Sequence, residues 1–499
     1  MEYFFGIDFG ACNLKCVRAD EFKLRAIKLN TSDDGSFHTP SAIFYNKTKS
    51  GGVEKIIGQT ALNQGALEPE NLIVDLKRKL EIKDWRKNIP ALERDVTAPE
   101  AAEDIFRKIY AFAARNFQPE DTARAAITVP AIFTERQRKI LSDAATRAGF
   151  KVDAVVNEAF AAIFGVQAEE DSLNVIFDFG GSTLDVSVIK FGGGEVTELV
   201  ASGLNLGGLD IDRDILEKIL RPKFASELDA AWDVENALDL QLNFTRRLKE
   251  TLYSDFEDSV DAELVEFRPG FDKIKLTRAE VDELLEREGY GEKITALLDE
   301  IFDELEQGAD CFDVEDVTAI WAFGGSMHIP YFRSLLENYF GAEIFDADAY
   351  EFDDDEGLAA GLEDKYLVVA GGAANFLKQR EKIRTVNVIP CRICYSLGGG
   401  LNLGIAKNSA SGFETLYLKL NPAELEKFGW KIELYQAFSN LSDAAYLGEV
   451  KLNPALYEKS EPPLLKLKIL RDGKIRLRIF ERRVADGAAE IALVEEFEI

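Results

Sequence analysis

Two periodicities of apolar residues divide the chain near residue 385. Before that point, short apolar runs typical of strands alternate with longer stretches in which apolar residues recur every three or four positions, as in helices. Residues 317–323 predict a strand, and residues 330–341 predict the helix that follows it. Thr277 and Glu280 have the spacing of a capping box at the start of another helix. The first part of the chain is therefore predicted to be α/β.

After residue 390, apolar and polar residues alternate with a period of two, which predicts half-buried strands. Residues 416–420 and 430–434 show this alternation, and residues 465–469 and 475–479 predict a hairpin around an Asp-Gly turn. The second part is therefore predicted to be a small antiparallel β domain. The predicted domains are residues 1–380 (α/β), residues 381–390 (linker) and residues 391–499 (all-β).

The charge of the chain argues against polyanionic partners. Among its 499 residues, 89 are acidic and 59 are Lys or Arg, which gives a net charge of −30. Nucleic acid and anionic membranes are therefore not expected as partners. The N-terminus shows no leader and no apolar run is long enough to cross a bilayer, while five cysteines indicate free thiols rather than a disulfide framework. We expect a soluble, cytoplasmic protein.

A short internal repeat carries the candidate chemistry. Asp8-Phe9-Gly10 is echoed 170 positions later by Asp178-Phe179-Gly180, and each copy lies between two apolar strand patterns. Each copy therefore predicts a hairpin whose glycine-containing turn can direct backbone N–H groups at a phosphate, while the aspartate holds hydrated Mg²⁺. Taken singly, either copy is more typical of a tight turn between core strands than of a phosphate site. A third site, Gly324-Gly325-Ser326, follows a predicted strand and can accept a base or ribose. Together the three sites predict a clamp that holds a nucleotide from both sides.

These motifs resemble those of the actin-like ATPases, and among them the DnaK-type 70-kilodalton heat-shock chaperones. The resemblance covers nearly the whole chain. Residues 6–10 and 178–185 resemble the two phosphate motifs, and residues 126–138 with Asn157-Glu158-Ala159 resemble the connecting segment typical of the chaperones. The resemblance implies an actin-like ATPase fold, with two lobes around a nucleotide cleft, followed by a β-sandwich domain.

The resemblance also implies roles for individual residues. The catalytic residues would be Lys77, Glu158, Asp178, Asp8 and Asp185, with Asp8 and Asp178 holding Mg²⁺ through water. The residues that would bind ATP or ADP are Gly10, Ala11, Cys12, Asn13, Gly180, Gly181, Ser182, Thr183, Gly207, Gly208, Lys249, Gly324, Gly325, Ser326 and His328.

Several positions depart from the family pattern. Ala11 and Cys12 stand where the family has two hydroxyl residues, which removes hydrogen-bond partners for phosphate or metal-bound water. We therefore expect slow, Mg²⁺-dependent hydrolysis. Arg246 stands in place of an acid and Tyr253 in place of a serine, while His328 stands where the family has an arginine that stacks on adenine. Base binding is expected to be weaker than in the family.

The β domain resembles the peptide-binding sandwich of these chaperones. Trp430 and Ile432 are expected to contact peptide, although the Trp430 ring stands where the family has a small β-branched residue and can fill the pocket. The chain ends soon after its last predicted strands, so no helical lid is expected. The predicted function is an ATP-dependent chaperone for extended or unfolded polypeptide, with possible co-chaperones. A nucleotide-binding scaffold without turnover is the alternative, and a sugar kinase is disfavoured because it needs no added β domain.

Overall fold

The computed structural model describes most of the chain. The described residues are 1–20, 23–29, 37, 39–166, 168–231, 237–254, 259–262, 274–307, 311–341, 352–353, 367–386, 388–398, 400–410, 414–438, 444–457, 462–469, 475–485 and 488–498. No helix in these ranges is long and apolar enough to cross a membrane.

The first part of the chain consists of short strands and helices. Its strands are β1 (Glu2–Phe9), β2 (Asn13–Ala19), β3 (Leu24–Ala26), β4 (Thr39–Pro40), β5 (Ala42–Lys47), β6 (Val53–Ile57), β7 (Leu72–Val74), β8 (Arg86–Ile89), β9 (Arg94–Thr97), β10 (Thr122–Val129) and β11 (Lys151–Asn157). Its helices are α1 (Gln59–Gly65), α2 (Leu76–Lys79), α3 (Ala98–Ala113), α4 (Glu135–Ala148) and α5 (Glu158–Ala162).

The middle of the chain repeats this mixture of strands and helices. Its strands are β12 (Ser172–Phe179), β13 (Leu184–Gly192), β14 (Glu195–Leu204), β15 (Ser259–Ala262), β16 (Ile274–Thr277), β17 (Ala319–Phe323), β18 (Phe352–Asp353) and β19 (Arg384–Val386). Its helices are α6 (Gly208–Ile215), α7 (Arg221–Ala231), α8 (Ala237–Ser254), α9 (Arg278–Arg287), α10 (Tyr290–Glu306), α11 (Pro330–Phe340) and α12 (Val368–Gln379). Strand β17, helix α11 and the capping box of α9 agree with the prediction.

The last part is almost entirely strand. Its elements are β20 (Val388–Ile389), β21 (Arg392–Ser396), β22 (Asn402–Ile405), β23 (Ser409–Ala410), β24 (Leu418–Lys419), α13 (Pro422–Lys427), β25 (Lys431–Ala437), β26 (Ala445–Lys451), β27 (Leu464–Ile469), β28 (Ile475–Ala485) and β29 (Ala488–Glu498). Two antiparallel four-stranded sheets, β22-β21-β25-β26 and β24-β27-β28-β29, enclose one apolar core. The strands of the predicted hairpin are present, and its Asp-Gly turn lies outside the described residues.

Two larger sheets share one topology. The first runs β11-β10-β1-β2-β3-β18, and the second runs β17-β12-β13-β14-β19. In each sheet an antiparallel hairpin, β1–β2 or β12–β13, has a parallel strand beside its first member. The internal repeat of the sequence therefore corresponds to a structural repeat, and it places Asp8 and Asp178 at equivalent strand ends.

Helix α12 lies against the first sheet although it comes late in the chain. It contacts β1, β2 and α5. A Cβ atom at Gly6 would lie 1.8 Å from the carbonyl oxygen of Ala370, so the strand and the helix meet backbone to backbone. Glycine at this position is therefore required by packing.

The segment predicted as a linker continues the second sheet. Strand β19 pairs in parallel with β14, and the Val388 amide donates a hydrogen bond to the Glu198 carboxylate (3.2 Å). The last part also contacts the α/β part, since Lys407, in the turn between β22 and β23, pairs with Glu300 at 2.8 Å. Side-chain contacts therefore join the α/β part to the β part, in addition to the connecting chain.

Candidate functional site

A cavity of about 570 Å³ lies between the two Asp-Phe-Gly hairpins. Nearly all the predicted site residues line it, from both sheets and from the third glycine site. The predicted residues that line it are Asp8, Gly10, Ala11, Cys12, Asn13, Lys77, Glu158, Asp178, Gly180, Gly181, Ser182, Thr183, Gly208, Lys249, Gly324, Gly325, Ser326 and His328. Gly207 and Asp185, which were also predicted for the site, are not among the lining residues. The cavity also contains residues that sequence reasoning did not assign to the site, among them Lys15 and Asp212.

The two turns that the sequence predicts to bind phosphate are in direct contact. A Cβ atom at Gly181 would lie 2.3 Å from the Cys12 sulfur, so the first turn packs on the bare backbone of the second. The Gly208 amide donates to the Gly180 carbonyl at 3.1 Å, and Ser326 donates its hydroxyl to the same carbonyl at 2.9 Å. The three predicted glycine sites therefore meet at one point.

In the first hairpin, Asp8 faces a lysine. Asp8 and Lys15 are opposite residues of β1 and β2, and the Lys15 ammonium lies 2.7 Å from Asp8 Oδ2. Thr128 donates a longer hydrogen bond of 3.4 Å to Oδ1. Burial alone would raise the pKa of Asp8, but the Lys15 and Lys77 ammoniums outweigh it, so this pKa is lowered. Asp8 is thus an ionised partner of Lys15.

In the second hairpin, the corresponding pair is two carboxylates. Asp178 and Asp185 are opposite residues of β12 and β13, and burial raises the pKa of each to about 7, with neighbouring carboxylates adding to the rise. Asp185 Oδ1 accepts a hydrogen bond of 2.6 Å from the Ala131 amide, while its Oδ2 has no partner among the described residues. The second hairpin therefore places two buried acidic groups at the site, and the nearby Lys15 ammonium partly offsets the rise in the pKa of Asp178.

Lys77 and Glu158 form a buried ion pair across the cavity lining. The ammonium lies 2.5 Å from Glu158 Oε1, and 4% and 7% of the two side chains are exposed. Burial raises the pKa of Glu158 to about 7 in spite of the opposing effect of Lys77. Lys77 follows Asp75, which has a left-handed backbone conformation (φ 51°) and so turns the chain into α2. Lys77 thus places a buried cation in the lining of the cavity.

The other end of the cavity is crossed by ion pairs. Asp212 lies 2.7 Å from the Lys249 ammonium and 3.3 Å from the Arg246 guanidinium, and Lys249 also donates to the Gly208 carbonyl at 3.0 Å. Arg246 also reaches Asp75 of the first part at 3.5 Å. Lys249 therefore lies where the prediction placed it, but its charge is already paired. Asp212 and Asp75 carried no sequence signal, because their roles depend on contacts between distant segments.

A second ion pair joins the two parts beside the cavity. The Arg78 guanidinium donates to both carboxylate oxygens of Asp210, at 3.0 and 2.5 Å, and to the Ser182 carbonyl at 3.3 Å. Because Arg78 belongs to α2 and Asp210 to α6, this contact spans the cleft.

The two residues predicted to bind peptide occupy different positions in the β part. Ile432 has no exposed surface and belongs to the core between the sheets, so a peptide reaches it only when neighbouring side chains move aside. Trp430 precedes β25 in a left-handed conformation (φ 59°) and stacks on Tyr457, with ring centroids 5.5 Å apart. Trp430 is half-buried and packs against the same core.

Comparisons with known proteins point to one family. A family model described as "Hsp70 protein" matches residues 4–374. A heat shock protein of Pyricularia oryzae is 24% identical over 93% of this chain and 77% of its own length. "Chaperone protein dnaK" of Phaeodactylum tricornutum is 28% identical over 81% of this chain. The match spans 66% of the latter relative, slightly less than two thirds of its length.

Proposed function

Because the chain belongs to the Hsp70 family, we propose that it is an ATP-binding chaperone whose nucleotide site is the cavity between its two Asp-Phe-Gly hairpins. The heat-shock chaperone resemblance of the sequence is confirmed by the family match, and the names of the relatives favour a chaperone over a scaffold. The main support for this site is that both predicted phosphate turns and the third glycine site line the same cavity.

The cavity suits a nucleoside polyphosphate in size and in polarity. Its volume of about 570 Å³ lies within the usual range for small-molecule sites. The turns at residues 10–13 and 180–183 would hold the phosphates through backbone N–H groups, and residues 324–328 would hold the base. The two-lobed actin-like architecture implied by the family fits the repeated topology of the two sheets.

Two groups would assist phosphoryl transfer to water. Such transfer depends mainly on positioning and on neutralising charge, and the buried Lys77 ammonium supplies a cation at the phosphate end. Glu158 holds that ammonium in place. Ala11 and Cys12 contribute no hydroxyl, and burial raises the pKa of the Cys12 thiol, so neither residue replaces the lost donors. We therefore propose slow hydrolysis.

The acceptors suited to hydrated Mg²⁺ are concentrated in the second hairpin. When bound, the ion would neutralise phosphate charge and orient the nucleotide. Asp178 fits this role, since its carboxylate lines the cavity, and Asp185 has an unpartnered oxygen to orient a water. Asp8 fits less well, because Lys15 already occupies one of its oxygens.

The β part would bind extended polypeptide, with co-chaperones acting on the whole chain. Residues 391–499 contain the two-sheet sandwich expected of such a module, and we retain residues 381–390 as the segment that joins it to the ATPase domain of residues 1–380. The described cysteines are all free thiols, which supports a reducing compartment such as the cytoplasm.

The proposal is tested by nucleotide-dependent thermal stability. At about 100 times Kd, ATP or ADP with Mg²⁺ should stabilise the native state by about 2.7 kcal/mol and raise Tm. A Cβ atom at Gly325 would meet no atom within 4 Å, so Gly325→Val should leave the unliganded Tm unchanged while its side chain fills the base end of the cavity. The nucleotide-induced shift should then disappear.

The matched control is Gly52→Val, at an exposed glycine outside the cavity. This variant should keep the full shift in Tm. A wild-type melting curve that millimolar nucleotide leaves unchanged would refute the proposed site. Nucleotide binding with hydrolysis at background rate would instead support the scaffold alternative.

A further inference from the structure

We propose that the chain forms a weak dimer with two-fold symmetry, in which strand β29 of one copy pairs antiparallel with β29 of a second copy. The inference goes beyond the proposed function and does not depend on the nucleotide site. It rests on the edge position of β29, on the ribbon that this strand forms with β28, and on the apolar residues that the edge exposes.

Strand β29 (Ala488–Glu498) is an edge strand. In the sheet β24-β27-β28-β29 it pairs with β28 on one side, and no further strand among the described residues pairs with its other side. The backbone N–H and C=O groups along such an edge can pair with another chain, and proteins often prevent this pairing with Lys or Pro residues. Residues 488–493 contain neither. This edge is therefore open to a further strand.

The hairpin of β28 and β29 extends beyond the sandwich. Strand β27 pairs with β28 only as far as Phe480, so residues 481–485 pair with residues 488–492 alone. The register skips Val494, which places a bulge where this two-stranded ribbon begins. A ribbon of two strands is only marginally stable in water, and further strands stabilise it. A second copy would make the ribbon four-stranded.

The edge exposes apolar side chains on one face. Ile491 and Leu493 are 43% and 51% exposed, and because they are two residues apart they lie on the same face of the strand. Leu493 lies opposite Phe480 of β28, whose ring packs edge-on against Tyr417 with ring centroids 5.2 Å apart. The apolar surface thus reaches the edge at the position where a second strand would pair.

The sequence of the edge is complementary to itself in one register. With the two-fold axis at Ile491, this residue lies opposite its own copy, and Glu490 lies opposite Ala492 of the second copy. An axis at Leu493 would instead place Glu490 opposite Glu496, and like charges at opposite positions are destabilising. The charge pattern therefore selects the register that brings the two Ile491 side chains together.

The distribution of net charge also favours contact through the β part. Residues 391–499 contain 15 acidic residues and 15 Lys or Arg, so the whole net charge of −30 belongs to the rest of the chain. Two copies that meet through β29 bring their neutral parts together and keep their acidic parts apart. A second copy is therefore a better occupant of this edge than any other surface of the chain.

Sedimentation equilibrium of the full chain in about 0.15 M salt tests the dimer. A small interface of this kind is typical of weak complexes, so the wild type should dimerise reversibly with a Kd of about 10 to 100 µM. Ile491→Lys should raise this Kd by about tenfold or more, because two ammoniums would face each other at the axis. Its Tm should match the wild type, since Ile491 is exposed. Leu67→Lys, at an 82% exposed leucine of the α/β part, is the matched control and should dimerise as the wild type does.

Cross-linking tests the register. In a Cys311→Ser background, which removes an exposed free thiol, Ile491→Cys should form a disulfide-linked dimer on mild oxidation. Leu67→Cys in the same background should remain monomeric on a non-reducing gel. Equal cross-linking of the two variants would overturn the proposed pairing.

Three further results would overturn the proposal. The first is a wild type that stays monomeric up to about 500 µM. The second is a dimer that Ile491→Lys leaves unchanged, because the copies would then meet elsewhere. The third is a monomeric wild type whose affinity for an apolar heptapeptide falls in Ile491→Lys, which would assign the edge to a client polypeptide instead.

Discussion

At the scale of single residues, the buried pair of Lys77 and Glu158 links stability to turnover. We expect Lys77→Met to reduce ATP turnover to background and to destabilise the fold by about 3 kcal/mol, since it leaves a buried carboxylate without its cation. Single-turnover hydrolysis and urea unfolding measure the two effects.

The double variant Lys77→Met/Glu158→Gln separates these effects. It leaves no unpaired charge, so its stability should return toward the wild type while turnover stays at background. Recovery of hydrolysis in the double variant would show that Lys77 acts only by supporting the fold.

Individual residues also show how far the sequence could predict the site. Residues of the repeated motif line the cavity because strand ends and glycine turns are local features. Lys15 was overlooked. In a hairpin with a four-residue turn at residues 10–13, the residue opposite Asp8 is Lys15, so the sequence could have identified it. Asp212 could not have been found, because its pairing with Lys249 joins helices far apart in the chain.

At the scale of elements, strand β14 carries a buried carboxylate that meets the joining segment. Glu198 accepts hydrogen bonds from the Ser187 hydroxyl (2.8 Å) and from the Val388 amide, and Arg138 is the nearby cation. Burial raises the pKa of Glu198 to about 7. The folded state therefore binds this proton more tightly than the unfolded state, and the stabilisation is complete below about pH 4.5.

We expect stability to fall as the pH rises from about 5 to 8, with Glu198 contributing about 3 kcal/mol of that loss. In Glu198→Gln the amide oxygen can still accept from Val388, but no proton is released, so the loss should be smaller by that amount. Urea unfolding at several pH values measures the difference. Identical pH profiles for the two proteins would contradict this prediction.

The position of Trp430 could not be predicted from the hydrophobic pattern. Its apolar side chain fits the alternation of residues 430–434, but the turn that ends α13 leaves it in the left-handed region, before β25 begins. The alternation of apolar and polar residues predicted strand β25 correctly but started it one residue too early, at Trp430. A turn conformation cannot be recognised from the hydrophobic pattern alone. The prediction for residues 416–420 was likewise too long, because strand β24 covers only Leu418–Lys419.

We expect Trp430→Asn to destabilise the β part by about 3 kcal/mol, because it removes the stacking on Tyr457 while asparagine tolerates a positive φ. Affinity for an apolar heptapeptide, measured by fluorescence anisotropy on the full chain, should not improve. Leu416→Asn is the control, since Leu416 is 86% exposed. Tighter peptide binding by Trp430→Asn would mean that the indole blocks the peptide site.

At the scale of the whole molecule, two ion pairs cross the cleft. Arg78–Asp210 and Arg246–Asp75 each join a residue of the first part to one of the second. We expect Arg78→Ala to release a fluorescent ADP analogue about three times faster, because a partly exposed bidentate pair contributes less than about 1 kcal/mol.

Stopped-flow displacement measures this rate. Arg94→Ala removes the exposed Arg94–Glu100 pair within the first part and should leave the rate unchanged. Equal rates for wild type and Arg78→Ala would mean that the pair does not restrain opening.

The close approach of α12 to Gly6 has a consequence for synthesis of the protein. Strand β1 leaves the ribosome long before the helix that covers it, because that helix lies at Val368–Gln379. One face of the first sheet therefore stays uncovered until most of the chain has been translated. A nascent chain arrested before α12 should expose this apolar face and be cut by protease, whereas one extended past β19 should be protected.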